Sequence, residues 1–317
     1  MIKLSVIIPT RNRAKVLEKA LESLTKQTLS QKYFEVIVVD NGSIDNTKEV
    51  IESFLDRIEN LVYIYDDNPG LHIGRHRGLL ASKADILVYG DDDIEATPTW
   101  LEGVSESFKD EIVVLVGGKN LPNFESAPPA WIKKMWERDT DEKVLGFLSI
   151  LDFGDKIKEI NPSYVFGCNF SIRKNILLEA GGFHPDGMPQ EIIQYRGDGE
   201  SHVSKYILSK GYKTIYNPKA SVYHLASTDR MTKKYFAKRA YNQAISDSYT
   251  SMREGKEMDM FKRKIKCIIK KYFLFRDMEI ELAYLKGYSY HQKEAKKDKN
   301  LMEWIQRDSY IHNGGIK

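Results

Sequence analysis

The sequence is poor in cysteine and proline: 317 residues hold two cysteines and 10 prolines. Cys168 and Cys267 lie far apart, which excludes a disulfide scaffold and fits buried core thiols in a reducing cytoplasm. No apolar run approaches the roughly 18 residues that a membrane-spanning helix needs. The opening apolar stretch, which ends at Pro9, is too short for a signal peptide and lacks a small-residue cleavage site. The chain has no internal repeat and no low-complexity tract. It also has no Gly-x-Gly-x-x-Gly after its first strand and no Gly-x-x-x-x-Gly-Lys-Ser/Thr anywhere, so the ordinary glycine-rich phosphate cradles are missing.

What is present is an ordinary globular balance, with 42% hydrophobic and 29% charged residues. A chain of this length buries roughly 75% of its extended surface and needs no staple to fold. The net charge of +3 is unevenly spread: residues 231–317 carry 20 Lys and Arg against 11 Asp and Glu, whereas residues 1–230 carry 28 against 34. An acidic body with a basic tail suggests two tasks. The steepest basic stretch, 261–275, predicts an amphipathic helix. Its lysine face either meets an anionic membrane or is solvated while the apolar face docks on the core. No nucleic-acid-binding motif accompanies the charge, and nucleic acid is not expected as a partner.

Short β-branched runs at 4–8, 36–39, 62–65, 86–89 and 113–117 alternate with helical periodicity at 15–25, 45–60, 75–83 and 98–108. This alternation predicts βαβ units and a mostly parallel sheet flanked by helices. The pattern weakens from 119 to 162, where a long functional loop with one short helix is expected around Trp131 and Trp136. Strand character returns at 164–172, a helix at 201–209 stops at Gly211, and short strands follow at 214–216 and 221–224. The remainder reads as helical. Three segments result: 1–118, 119–228 and a basic helical extension, 229–317.

Ligands of parallel α/β sheets bind beyond the carboxyl ends of the strands. Three strand ends here are polar: Pro9-Thr-Arg-Asn12, Asp40-Asn-Gly-Ser-Ile-Asp45 and Gly90-Asp-Asp-Asp93. Three adjacent carboxylates behind a buried strand repel one another, and a divalent cation relieves that repulsion. Mg²⁺ and Mn²⁺ favour carboxylate oxygens and typically share them with substrate phosphates. A metal–diphosphate site is therefore expected at Asp91, Asp92 and Asp93.

Four segments resemble family 2 glycosyltransferases of the GT-A fold: Ser5-Val-Ile-Ile-Pro-Thr-Arg-Asn-Arg13, Glu35-Val-Ile-Val-Val-Asp-Asn-Gly-Ser-Ile-Asp45, Asn68-Pro-Gly70 with Gly74-Arg-His-Arg-Gly78, and Ile86-Leu-Val-Tyr-Gly-Asp-Asp-Asp93. Their order and spacing make the resemblance specific over about residues 1–225. It implies a GT-A fold and a nucleotide-sugar donor, typically UDP-linked. Pro9 and Thr10 would border the nucleoside and Asp40 would accept a hydrogen bond from the base. Arg75 would lie near the nucleotide, and Asp91 and Asp92 near the ribose and the metal's waters. Asp93 would be the direct metal ligand, joined by His224. His76 stands where the family often has Asn.

The segment Gly167-Cys-Asn-Phe-Ser-Ile-Arg173 and the turn Gly181-Gly-Phe183 resemble the family's acceptor side, which brings in Asn169. Counting back from Gly211-Tyr212, Glu200 takes the position of the catalytic base, with Asp198 as its rival. Trp131 and Trp136 are further acceptor candidates, because sugar rings present apolar faces that pack on aromatic rings. The resemblance implies hexosyl or N-acetylhexosaminyl transfer to a glycan or lipid-linked hydroxyl, with Mn²⁺ or Mg²⁺, as in bacterial surface polysaccharide or glycoconjugate synthesis. A single base with no second carboxylate placed as nucleophile predicts inversion. The alternatives are a sugar nucleotidyltransferase, disfavoured by the glycine-free Pro9-Thr-Arg-Asn-Arg13, and a non-catalytic module, disfavoured by the intact acidic residues. Location is expected to be cytoplasmic, with membrane contact through 261–275.

Overall fold

The structure is a computed structural model that describes residues 1–137, 142–256, 258–259, 262, 265, 278–312 and 314–315. Of 261–275 only Lys262 and Ile265 are among them, so the amphipathic helix expected there lies outside the described residues, as does Cys267. No helix among the described residues is long and apolar enough to cross a membrane.

The first 120 residues alternate strands and helices as the periodicity predicts: β1 (Leu4–Thr10), α1 (Ala14–Leu24), β2 (Phe34–Asp40), α2 (Thr47–Glu52), β3 (Leu61–Tyr65), α3 (Leu71–Ala81), β4 (Ile86–Gly90), β5 (Ile94–Ala96), α4 (Trp100–Ser107) and β6 (Val113–Gly117). Strands β1, β2 and β4 are buried along their whole length, as unbroken apolar strands covered on both faces must be. Helix α2 ends at Glu52, well short of the expected 60, and turns follow it. Helix α3 begins at Leu71, four residues before the expected start, directly behind Gly70 at φ 119°.

The chain then runs through β7 (Asn120–Phe124), α5 (Ala130–Trp136), β8 (Lys143–Leu145), β9 (Ile150–Asp152), β10 (Lys158–Glu159), β11 (Asn169–Arg173), α6 (Lys174–Glu179), α7 (Glu200–Lys210), β12 (Lys213–Tyr216) and β13 (Val222–Ala226). It closes with α8 (Lys233–Arg253), α9 (Glu279–Lys297) and α10 (Lys299–Ile305). One sheet has the order β10-β12-β6-β11-β4-β1-β2-β3. Strands β3, β2, β1 and β4 are parallel, and β11 lies antiparallel between β4 and β6. The first two sequence segments therefore share one sheet.

The region expected as a long loop instead builds most of a second sheet, β5-β13-β7-β9-β8. Its strands are short, and β7 pairs in parallel with β13 a hundred residues on, Val222 opposite Asn120. Such pairing leaves no local signature in the sequence. The chain passes from the first sheet to the second between β4 and β5, and that passage is Asp91-Asp92-Asp93.

Helix α3 lies close on β1 because its inward face is glycine. A Cβ at Gly78 would run into the Ile7 side chain, and one at Gly74 into Asn41 and Pro9. Residues four apart share a helix face, so the two glycines form one flat seam. Overpacking a seam of this kind typically costs about 1–3 kcal/mol. Gly78→Ala is expected to lower stability by that amount in urea unfolding, although alanine is the better helix former.

Candidate active site

The carboxyl ends of β1, β2 and β4 lie on one rim, with Thr10 in register with Asp40. Thr10 Oγ1 donates to Asp92 Oδ2 at 2.7 Å. Arg13 spans two of the three carboxylates, with Nη1 2.6 Å from Asp92 Oδ1 and Nη2 2.9 Å from Asp93 Oδ2. Arg230, just beyond β13, brings Nη1 to 2.9 Å from Asp93 Oδ2. Two arginines from distant parts of the chain, Arg13 and Arg230, thus share in balancing the triplet's charge. Arg13 stood at the edge of a quoted segment. Arg230 carried no signal, because only the return of β13 beside β5 brings it here.

Burial raises the carboxyl of Asp92 to about 7 and outweighs Arg13. Burial likewise raises that of Asp91. Asp93 goes the other way: burial opposes its charge, but His224, Arg13 and Arg230 together hold it well below the usual carboxylate range.

His224 pairs with Ile94 in the β13–β5 ladder, which sets it beside Asp93. Its Nδ1 lies 2.9 Å from the carbonyl oxygen of Leu148 and can only donate there. Its Nε2 is 3.2 Å from Asp93 Oδ1, a buried oxygen with no other partner. In the neutral ring, then, two lone pairs face each other, an arrangement that a shared proton or a cation resolves. One ligand atom each from Asp91, Cys168 and His224 lies within 4.8 Å of the others. Oxygen and imidazole donors of this kind fit a divalent cation, and Asp91, Asp93 and His224 would hold it.

Arg75 is buried behind the triplet, with Nη2 3.5 Å from Asp91 Oδ1 and Nη1 3.4 Å from Glu200 Oε2. Glu200 opens α7, where a carboxylate is favoured by the helix dipole, and its Oε1 accepts from the Gly167 N–H at 3.2 Å. Its side chain is 27% exposed. A cavity of about 230 Å³ lies between the strand ends, lined by Pro9, Thr10, Arg13, Gly70, Asp91 and Asp92. Asp40 stands beside it, accepting from the Ser43 N–H at 2.7 Å and the Tyr63 hydroxyl at 3.2 Å.

Other expected residues have different surroundings. Asp198 is 8% exposed and accepts from His184 Nδ1 at 2.7 Å and Thr250 Oγ1 at 2.8 Å. Burial opposes its charge, yet those donors bring its carboxyl down to about 2. Asn169 is buried, with Oδ1 accepting from Trp100 Nε1 and Nδ2 donating to Asn120 Oδ1 and the Ala220 carbonyl. Its amide ties the two sheets together. Trp131 packs on Phe236, ring centroids 4.8 Å apart, and Trp136 joins the same apolar cluster. His76 faces away from the cleft. Its Nδ1 donates to the Tyr310 carbonyl at 3.1 Å and its Nε2 accepts from the Phe183 N–H at 2.9 Å.

A mixed sheet whose strand ends present an acidic triplet, with a second small sheet beside it, is the GT-A arrangement. Two solved structures share it: a mannosyltransferase of Pyrobaculum calidifontis in complex with GDP-Man and Mn²⁺ and TarS 1–349 of S. aureus in complex with UDP-GlcNAc. The first is 18% identical with a TM-score of 0.55, covering 98% of this chain and 84% of that one. The second is 15% identical with a TM-score of 0.54, covering 98% and 86%. The sequence profile described as glycosyl transferase family 2 matches residues 5–181. The chain belongs to glycosyl transferase family 2. Glycosyltransferase AglE of Haloferax volcanii is 39% identical over 216 residues, 67% of this chain and 63% of that protein. The glucosyl-dolichyl phosphate glucuronosyltransferase of the same organism is 25% identical over 236 residues, 70% of this chain and 69% of that protein. The alignment with AglE thus spans less than two thirds of that relative's length.

Proposed function

We propose that this glycosyltransferase moves a hexosyl or N-acetylhexosaminyl group from a nucleoside-diphosphate sugar, UDP-linked, to a hydroxyl of a glycan or lipid-linked acceptor, with inversion and with a divalent cation. The observation that carries this is Arg75, whose guanidinium lies between Glu200 on one side and Asp91 on the other. It sets a half-exposed carboxylate opposite the donor-side acids. The solved neighbours' complexes with GDP-Man and Mn²⁺ and with UDP-GlcNAc support a nucleotide-sugar donor. The relative that acts on glucosyl-dolichyl phosphate supports a lipid-linked acceptor in polysaccharide or glycoconjugate synthesis.

Pro9, Thr10 and Asp40 border the nucleoside, and Asp91 and Asp92 face the ribose side. Glu200 accepts the proton of the acceptor hydroxyl as that oxygen attacks the anomeric carbon. A bound Mn²⁺ or Mg²⁺, held by Asp93 and His224 with Asp91, would neutralise charge on the departing nucleoside diphosphate. Arg75 holds Glu200 in place at 3.4 Å, while Asp198 anchors the start of α7 from behind. Its low pKa and fully engaged oxygens make it a poor base. The other carboxylates around Glu200 are engaged: Asp198 by His184 and Thr250, Asp186 by Arg196 at 2.6 Å, and Asp91 by Arg75 on the donor side. Single displacement follows. The basic composition of 231–317 supports a cytoplasmic location with contact to anionic membrane, which sedimentation with anionic vesicles at low salt tests.

The donor is tested by thermal shift and product formation over a panel of UDP- and GDP-sugars with Mn²⁺. Stabilisation by a UDP-sugar is expected, and stabilisation by GDP-mannose alone would overturn the base assignment. Asp93→Ala removes the shared partner of His224, Arg13 and Arg230. It is expected to weaken Mn²⁺-dependent UDP binding by roughly tenfold or more in calorimetry, the scale of losing a metal-site group.

A further inference from the structure

Cys168 precedes β11 and, read from sequence, is a buried core thiol. The structure places its Sγ within 4.8 Å of both an Asp91 oxygen and a His224 ring nitrogen. The Ser149 carbonyl lies 3.9 Å from it, too distant for a strong bond. The turn at 146–149 serves both donors. Ser149 holds φ at 53°, a conformation that non-glycine residues rarely take. The two successive carbonyls there, Leu148 and Ser149, point at His224 Nδ1 and Cys168 Sγ. With Nδ1–H committed to Leu148, the Nε2 lone pair is aimed into the cluster, where the buried Asp93 Oδ1 has no other partner.

We propose that Cys168 is a further protein donor to the cation held at Asp91, Asp93 and His224, and that its sulfur biases this site toward thiophilic divalent ions over Mg²⁺. Hard Mg²⁺ gains little from sulfur, whereas Co²⁺, Zn²⁺ and Cd²⁺ gain much. On binding, the thiol gives its proton to solvent and its sulfur lone pair to the metal. The proposal rests on the cation-dependent function given above and adds the choice of ion.

The test uses the full chain carrying Cys267→Ser, which removes the other thiol. Co²⁺ is titrated under reducing, metal-free conditions and followed by absorption, with Mn²⁺ binding measured in parallel by paramagnetic resonance. A thiolate-to-cobalt charge-transfer band saturating at one equivalent is expected. Adding Cys168→Ser should remove that band and weaken Cd²⁺ by roughly tenfold or more while moving Mn²⁺ by less than about threefold. Mn²⁺ binding with no charge-transfer band overturns the role of Cys168 and leaves the proposed function standing. No binding of Mn²⁺ at all overturns both. The band is read before any change at Cys168, so the outcome does not depend on that variant folding.

Discussion

Glu200→Gln is expected to lower kcat for sugar transfer by roughly 10²–10⁴-fold, the range for removing a positioned general base. The substitution keeps the side chain's size and its contact with the Gly167 N–H, and takes away its charge opposite Arg75 and its capacity to accept a proton. Donor affinity should stay near that of the parent protein, because the donor cavity is lined by the ends of β1 and β4 and the start of α3, not by Glu200. Asp198→Asn supplies the contrast. Its carboxylate is sealed behind α7 by His184 and Thr250, so its loss should act on stability, leaving kcat within roughly tenfold of the parent. A single-turnover assay of both variants with saturating donor decides between the two carboxylates. An active Glu200→Gln together with an inactive Asp198→Asn would reverse the assignment.

The second large effect is on stability as pH falls. Four histidines are held neutral by burial: His72, His184 and His291 at about 4 and His76 at about 3. In the unfolded chain each titrates near 6.5. Below that value the unfolded state takes up protons that the folded state refuses, so their contribution is complete above about pH 6.5 and declines on acidification until the folded values are reached. At pH 5 each histidine withdraws at most about 2 kcal/mol. His224 has the opposite sign: burial lowers its pKa, but Asp93 raises it more, so it favours the folded state on the acid side. Asp92, raised to about 7, and Asp91, also raised by burial, share that opposite sign, while His202, lowered by burial, joins the other four histidines, so five groups against three leave a net loss. The melting temperature is expected to fall by several degrees between pH 7.5 and 5, at about 2–4 °C per kcal/mol. A flat profile over that interval would contradict the neutral burial of these rings.

These two expectations draw on parts of the molecule that were unequally legible. The parallel core was readable, because β1, β2 and β4 carry short β-branched apolar runs bounded by turn residues and separated by helical periodicity. The triplet was readable too, since its three acids sit where such strands end. Its charge partners were not. Arg13 comes from the loop after β1, and Arg230 from the far side of the second sheet. The strands of that sheet hold three to five residues, and β7 and β13 find each other a hundred residues apart. His76 looked like a departure from a family position, and its use became visible only once Tyr310 and Phe183 lay against it. Asn169 seemed an acceptor contact, and its amide is spent between Trp100, Asn120 and Ala220. In each case the residue type was plain, and the partner was set by tertiary folding.

Tyr310 and Gly314 bear on the order in which this protein can be completed during synthesis. Their carbonyls accept from His76 and His72 across 234 and 242 residues of sequence. The donor-side helix α3 is thus made early and finished late: translation must reach residue 314 before both ring protons have their acceptors. A nascent chain stalled ahead of that point would hold the β1–β4 sheet with α3 bare along its back, a surface suited to a chaperone.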